Sequence, residues 1–472
     1  MVTALDRYRE FSLRRRRHAE RAHHRIDIQG LRALAVLVVI SAHLFGWPRG
    51  GFTGIDVFFV ISGFFVTDML LRSAEPAGAV SVRRFWLDRA RRILPTAIVV
   101  LVVTYVASLV MLPARAGGIG IDALFALAFL ANWHAAGHGA ESWALRGSAS
   151  PLQHFWPLSI EEQFYLVWPL LLLVITAVVV RRTWSRATWL GCVAAASGVV
   201  TAVSLGWATY QTITSPSWAY FDTAARVWEL GIGAALASAV GVFARTPVWL
   251  RPILSWVGVG LIVAGLLLIE PESTGFPVPW ALLPVAGTVL VIAAGVGSEP
   301  LFQPLLRNQA ASYLGDLSYA LYLVHWPVIV LLSTAMHPTV SFSVCALALS
   351  FGLAVICHHF VEEPLRQASW DALRQARQDV KHGLYRVERS TKIVAVAAMV
   401  LLTIAVIAFA ARPDRYEANS AATASAAGRS DNPSCRAVTC FHPRAASSAR
   451  APASAHSDRN NPASPARSVG LK

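Results

Sequence analysis

Charge is what this 472-residue chain lacks most: Asp, Glu, Lys and Arg together make up 14% of it, about half the share usual in soluble domains. That scarcity excludes disorder for the bulk of the chain, because a segment stays unfolded in water only when it is rich in charge and poor in apolar residues. Cysteine is nearly absent as well. Cys192, Cys345 and Cys357 lie inside apolar stretches and Cys435 and Cys440 near the end, too few and too scattered for a disulfide scaffold or a metal cluster. Acidic residues are outnumbered 27 to 41 by basic ones, for a net charge of +14. No nucleic-acid motif or aromatic stacking platform accompanies the excess arginine, so a nucleic-acid partner is excluded too.

What the chain has instead is grease. Hydrophobic residues are 55% of it, with 16 Trp and 21 Phe, and the mean hydropathy is +0.51. Eleven runs reach membrane-spanning length: 31–47, 53–71, 93–112, 164–180, 188–208, 221–243, 252–269, 281–297, 314–334, 341–361 and 391–411. Only helices satisfy every backbone group within a single segment in lipid, so the expected fold is an all-α polytopic membrane protein of about 11 transmembrane helices. A further run, 119–133, contains Asp122 and is too short to cross; it is expected to lie at the interface or re-enter.

The basic residues are sorted by side. With the N-terminus inside, the inner segments carry 27 Lys or Arg and the short outer loops carry three, Arg49, Arg115 and Arg146. This bias predicts a cytoplasmic N-terminus and an outside C-terminus in the bacterial cytoplasmic (inner) membrane. The Arg14–Arg17 cluster stands more than ten residues before the first apolar run with no cleavage pattern after it, so it reads as an orientation signal and not an export leader. The expected domains are a basic segment 1–24, a membrane core 25–366, a basic linker 367–390, an added helix 391–411 and a tail 412–472. The tail is rich in Ala, Ser and Pro without aliphatic periodicity and is expected to be disordered.

Ionisable groups within spans are expensive in lipid and therefore point to sites. Arg32 and His43 stand 11 residues apart in the first span, on one helix face and about 16 Å apart along the axis. The glycine-rich turn 50–54 then delivers Asp56 near His43, a pairing suited either to a positioned general base or to a plain helix cap. Glu161 and Glu162 sit at the expected outer mouth of the fourth span, where Ser159 with Glu162 has the spacing of a capping box and Glu161 is left without a structural task. Asp222, Arg226 and Glu229 share a face in the sixth span, as a polar site or an ion-pair ladder. Ser318, Tyr322 and His325 repeat that spacing in the ninth, just before Pro327. Arg83, Arg84, Arg89, Arg91 and Arg92 crowd an expected cytoplasmic loop before Pro95, either as positive-inside bias or as a phosphate clamp.

Taken in order, the stretches 27–36, His43, 54–64, 85–95, 156–165, 226–230, 318–327 and 362–366 strongly resemble the acyltransferase-3 family of integral membrane O-acyltransferases. The resemblance runs from about residue 25 to 366. It implies transfer of an acyl group, usually acetyl, from a cytoplasmic thioester donor to a sugar hydroxyl of an envelope glycan or glycolipid. The family's pattern of Arg, ten intervening residues and His maps onto Arg32 and His43, and its Arg-x-x-Arg element onto Arg89 and Arg92, implying acyl-coenzyme A (acetyl-coenzyme A foremost) as donor substrate and no bound cofactor or metal. His43, Asp56, Glu161 and Glu162 are the expected catalytic group, with His43 as base and Asp56 or Glu161 orienting or balancing its imidazolium; Arg32, Arg89 and Arg92 bind donor; Arg226, Glu229, Tyr322 and His325 complete the polar core. Many relatives continue after the eleventh helix into an extracytoplasmic hydrolase-like domain. Here the stretch 432–440 resembles only its opening, so a truncated member is expected. The rivals are a transporter of acyl groups or glycolipids without chemistry and an inactive scaffold; the apparent absence of paired broken helices speaks against the first.

Overall fold

The computed structural model describes residues 25–77, 82–138, 149–182, 185–270, 275–297, 300, 303–367 and 389–410. Residues 1–412 form one compact unit, and the second, 413–472, falls outside the described residues. So do the basic segment 1–24, most of the 367–390 linker, and Cys435 and Cys440.

The chain is an all-α polytopic membrane protein. Its main helices are α1 (Ile26–Phe45), α2 (Gly54–Ala77), α3 (Val82–Met111), α4 (Ala116–Leu127), α5 (Ala131–His138), α6 (Trp156–Arg181), α7 (Arg186–Thr214), α8 (Thr223–Ser238), α9 (Leu250–Leu268), α10 (Leu282–Ala294), α11 (Gln309–Leu332), α12 (Val340–Ile356) and α13 (Arg389–Ala410). Among the described residues, eight helices are long and apolar enough to cross a bilayer. The three remaining expected spans are occupied by α8, α10 and α13. The run 119–133 divides between α4, of 12 residues, and α5, of 8, each too short to cross.

Two expectations about local structure fail. The arginine cluster before Pro95 is not a loop: α3 begins at Val82 and runs through Pro95 for 30 residues. About 20 suffice to span, so the surplus turns extend the helix beyond the apolar run, and apolar length alone could not register them. Nor is Ser159 a helix cap. The helix starts one turn earlier, with Pro157 in its first turn, where a missing N–H is harmless. Ser159 lies inside it, donating to the Phe155 carbonyl and accepting from the Ala131 N–H.

Between helices the packing is governed by glycine. A Cβ on Gly63 of α2 would overlap the Leu230 carbonyl of α8, and one on Gly233 of α8 would overlap the Val60 carbonyl of α2. Gly315 meets the backbone of Gln29 in the same way, which joins α11 to α1. With no hydrophobic drive between helices in lipid, such close backbone approach supplies the van der Waals contact that holds them. These two contacts set α1, α2, α8 and α11 around the polar centre of the bundle.

Candidate functional site

α1 ends at Gly46, whose φ of 70° lets its N–H close on the Ala42 carbonyl and leaves His43 in the last turn. His325 reaches it from α11. His43 Nδ1 lies 3.1 Å from His325 Nε2, with ring planes 7° apart and centroids 5.4 Å apart. The two rings are therefore nearly coplanar and meet edge to edge, nitrogen to nitrogen, and Trp326 packs on His43 at 4.7 Å. A third histidine, His154, comes from the 3-10 turn Gln153–Phe155 that leads into α6. Its Nε2 donates to the Leu323 carbonyl at 2.9 Å, its ring centroid is 5.9 Å from that of His325, and its own carbonyl accepts from the Tyr322 hydroxyl at 2.8 Å. His154 was not singled out in the sequence; its signal was its place two residues before Trp156, in a loop that no apolar periodicity describes.

Asp56 does not join this cluster. It is fully buried against Arg226 of α8, which also holds Glu229 at 3.1 Å. The sequence neighbourhood of His43 and Asp56 misled because the 3-10 turn Arg49–Thr53 carries the chain over to α2, and Asp56 then faces α8. Asp222, expected on the same stripe, caps α8 instead, accepting from the Ala224 N–H and the Trp207 indole. Arg226 and Glu229 thus form a buried set with Asp56, one cation between two carboxylates.

Below the histidines lies a cavity of about 730 Å³. Arg32, Arg89 and Arg92 line it together with Glu161, Ser62 and Tyr322, so helices α1, α2, α3, α6 and α11 all contribute to one space. Glu161 lines the cavity, and both it and its neighbour Glu162 turn towards Arg89. Arg89 reaches Glu162 at 3.2 Å and Glu161 at 3.6 Å, stacks over the Tyr165 ring at 4.1 Å, and the Ser62 hydroxyl donates to Glu161 at 2.8 Å. The long α3 makes this possible by carrying Arg89 up against α6. Neither glutamate touches His43, so the expected pairing of Glu161 with an imidazolium is not what the geometry offers. Among the described residues, Arg32 bonds only the Gln29 amide oxygen, at 3.1 Å, and Arg92 forms no ion pair. Both are half-buried cations facing the cavity.

The cavity stops short of His43. Its histidine-side wall includes Phe58 and Tyr322, whose rings are 6.4 Å apart, and Tyr322 in turn stands 5.5 Å from His325. Behind the arginines, the helix after α12 widens into a π turn, Cys357–Glu362, in which His358 Nδ1 lies 3.2 Å from Glu362. Nothing in the residue pattern foretells that turn, since a π turn needs no residue that an α-helix would refuse.

Residues 25–359 match the acyltransferase-3 family, described as an acyltransferase domain. The chain is 32% identical over 353 residues to the peptidoglycan O-acetyltransferase OatA of Listeria monocytogenes, a match covering 72% of this chain and 56% of that protein. It is also 32% identical over 358 residues to YrhL of Bacillus subtilis, provisionally named a peptidoglycan O-acetyltransferase, covering 73% of this chain and 55% of the relative. The chain thus spans little more than half the length of these relatives. No solved structure matches it.

Proposed function

For a chain that belongs to the acyltransferase-3 family of membrane proteins, we propose an O-acyltransferase that moves an acyl group, acetyl foremost, from cytoplasmic acyl-coenzyme A to a hydroxyl of an envelope glycan, peptidoglycan being the first candidate. One observation carries this reading: Arg32 and Arg92 line a cavity of about 730 Å³ and form no ion pair with a carboxylate among the described residues, and its far wall, at Tyr322, backs onto the histidine cluster. Unpaired arginines in a low-dielectric cavity favour an anionic guest and bind phosphate with charge-assisted forks. In this reading the donor's phosphates take Arg92 and Arg32. Arg89, already held by two carboxylates, shapes the wall.

Chemistry then falls to His43. A hydroxyl is a poor nucleophile near neutral pH and needs a base within reach. His43 Nε2 takes the hydroxyl proton as the oxygen attacks the thioester carbonyl; the carbon–oxygen ester bond forms, the carbon–sulfur bond breaks, and the leaving coenzyme A thiolate takes that proton back from the His43 imidazolium, which returns to the neutral ring. The acyl group must pass Phe58 and Tyr322 to arrive there, so those two side chains move during turnover. We place the N-terminus inside and the C-terminus outside the bacterial cytoplasmic membrane, on the strength of the basic-residue bias.

The test is mass spectrometry of envelope glycans from cells lacking the protein, complemented with wild type or His43→Ala at matched membrane levels. Ester-linked acyl groups restored by wild type alone support the reading; restoration by both removes His43 from the chemistry, and restoration by neither removes the acyltransferase activity. The transporter reading is separated in proteoliposomes, where a pure carrier leaves the thioester of acyl-coenzyme A intact.

A further inference from the structure

The bonds around His325 determine which nitrogen of His43 is free to act. His325 Nδ1 lies 2.6 Å from the Tyr322 carbonyl oxygen. A carbonyl only accepts, so Nδ1 carries the hydrogen, and in the neutral ring Nε2 is then a bare lone pair. That lone pair faces His43 Nδ1 at 3.1 Å, in the plane of both rings. Two lone pairs cannot bond, so His43 donates: its hydrogen sits on Nδ1. By elimination Nε2 of the neutral His43 ring is unprotonated, on a ring that is half-buried and forms no other hydrogen bond with described residues.

We infer that His325 is a positioning residue that holds His43 in the Nδ1–H tautomer, so that Nε2 stands ready to accept the hydroxyl proton. The inference rests on the reading of His43 as the base. His325 is suited to the task because it is fully buried and anchored within its own helix, so its lone pair cannot wander or be replaced by water. When His43 Nε2 takes the proton, the imidazolium keeps its Nδ1–H bond to His325 Nε2, and the developing charge meets an acceptor already in line. This is the job a carboxylate does behind a catalytic histidine elsewhere, done here by a neutral ring, which avoids placing a further charge in a span. Asp56 and Glu161, the expected orienting carboxylates, are both committed to arginines.

The tautomer is read directly by nitrogen NMR of the full chain in lipid nanodiscs with 15N-labelled histidine, the His43 signals being those lost in His43→Gln. The expected result is a protonated Nδ1 and a bare Nε2 on His43; a hydrogen on Nε2 overturns the inference. In His325→Ala, His43 is expected to become a mixture of tautomers, and a His43 that keeps the pure Nδ1–H form also overturns it. Gln places an amide oxygen near the lost Nε2, so His325→Gln is expected to restore the tautomer. In turnover, His325→Ala is expected to lower kcat about 100-fold, the scale of a misplaced general base, with KM for acyl-coenzyme A within about twofold. His325→Gln is expected to recover about tenfold of that. Equal losses in the Ala and Gln variants at matched thermal stability overturn the positioning role. His43→Gln, run in the same assay, separates the two claims: if it still turns over, His43 is not the base, whatever tautomer the spectra show.

Discussion

Arg89 stands between two neighbouring glutamates, 3.2 Å from Glu162 and 3.6 Å from Glu161, with its guanidinium carbon 4.1 Å from the centre of the Tyr165 ring. It is the clasp between α3 and α6, and its removal leaves two adjacent carboxylates without their shared cation. Arg89→Met is expected to destabilise the bundle by about 2 kcal/mol, somewhat less than a fully dry pair because the three side chains keep some exposure. Adding Glu161→Gln and Glu162→Gln is expected to regain most of that loss. Apparent unfolding midpoints in one detergent, at one scan rate, report both.

Arg32 and Arg92 pair with no carboxylate among the described residues, and their loss is expected to be felt in donor binding instead of folding. Arg92→Ala is expected to raise KM for acyl-coenzyme A about tenfold, the worth of one charge-assisted hydrogen bond, with kcat changed less. Initial rates of thioester cleavage against donor concentration test this. A kcat loss at constant KM would move Arg92 from binding to chemistry.

Asp56 is held by Arg226 and buried with Glu229, away from His43. Asp56→Asn is therefore expected to weaken the α2–α8 contact by about 3 kcal/mol, as breaking a buried pair does, while each folded molecule keeps at least about a tenth of its turnover. Thermal midpoints, with ester formation normalised to folded protein, separate the two effects. Turnover reduced as far as in His43→Ala would put Asp56 in the chemistry.

Gly63 meets the Leu230 carbonyl with no room for a methyl group. Gly63→Ala is expected to push α2 and α8 apart at a cost of about 1–3 kcal/mol, visible as a lower yield of monodisperse protein and a lower midpoint. Gly260→Ala is the control, since a Cβ there meets nothing within 4 Å.

Trp47 and Trp249 are well exposed, at 65% and 69%, and in the proposed orientation they lie on opposite sides of the membrane. In a cysteine-free background, Trp47→Cys is expected to react with a membrane-impermeant maleimide in intact cells and Trp249→Cys only after lysis. The reverse pattern would invert the orientation.

Much of this protein is legible in its residues. Eleven apolar runs and scarce charge leave no architecture but a helical membrane bundle, because the length of a span and the price of a bare peptide group in lipid are fixed by the bilayer and not by the fold. Arg32, His43 and His325 stood out because each is costly in a span, Arg89 because it belongs to a basic cluster suited to phosphates, and Glu161 because the capping spacing left it without a task. Which of them meet was a different matter. Asp56 stands thirteen positions after His43 yet bonds Arg226, 170 residues on, while His43 bonds His325, 282 residues on. Local spacing holds along a single helix and ends at the turn. Beyond it, partnership is decided by which helix backs tolerate contact at Gly63, Gly233 and Gly315, how far α3 runs past its apolar stretch, and which buried charge finds an opposite one. Those are properties of the packed bundle, so the cavity, the Arg89 clasp and the coplanar histidine pair exist only in the tertiary structure.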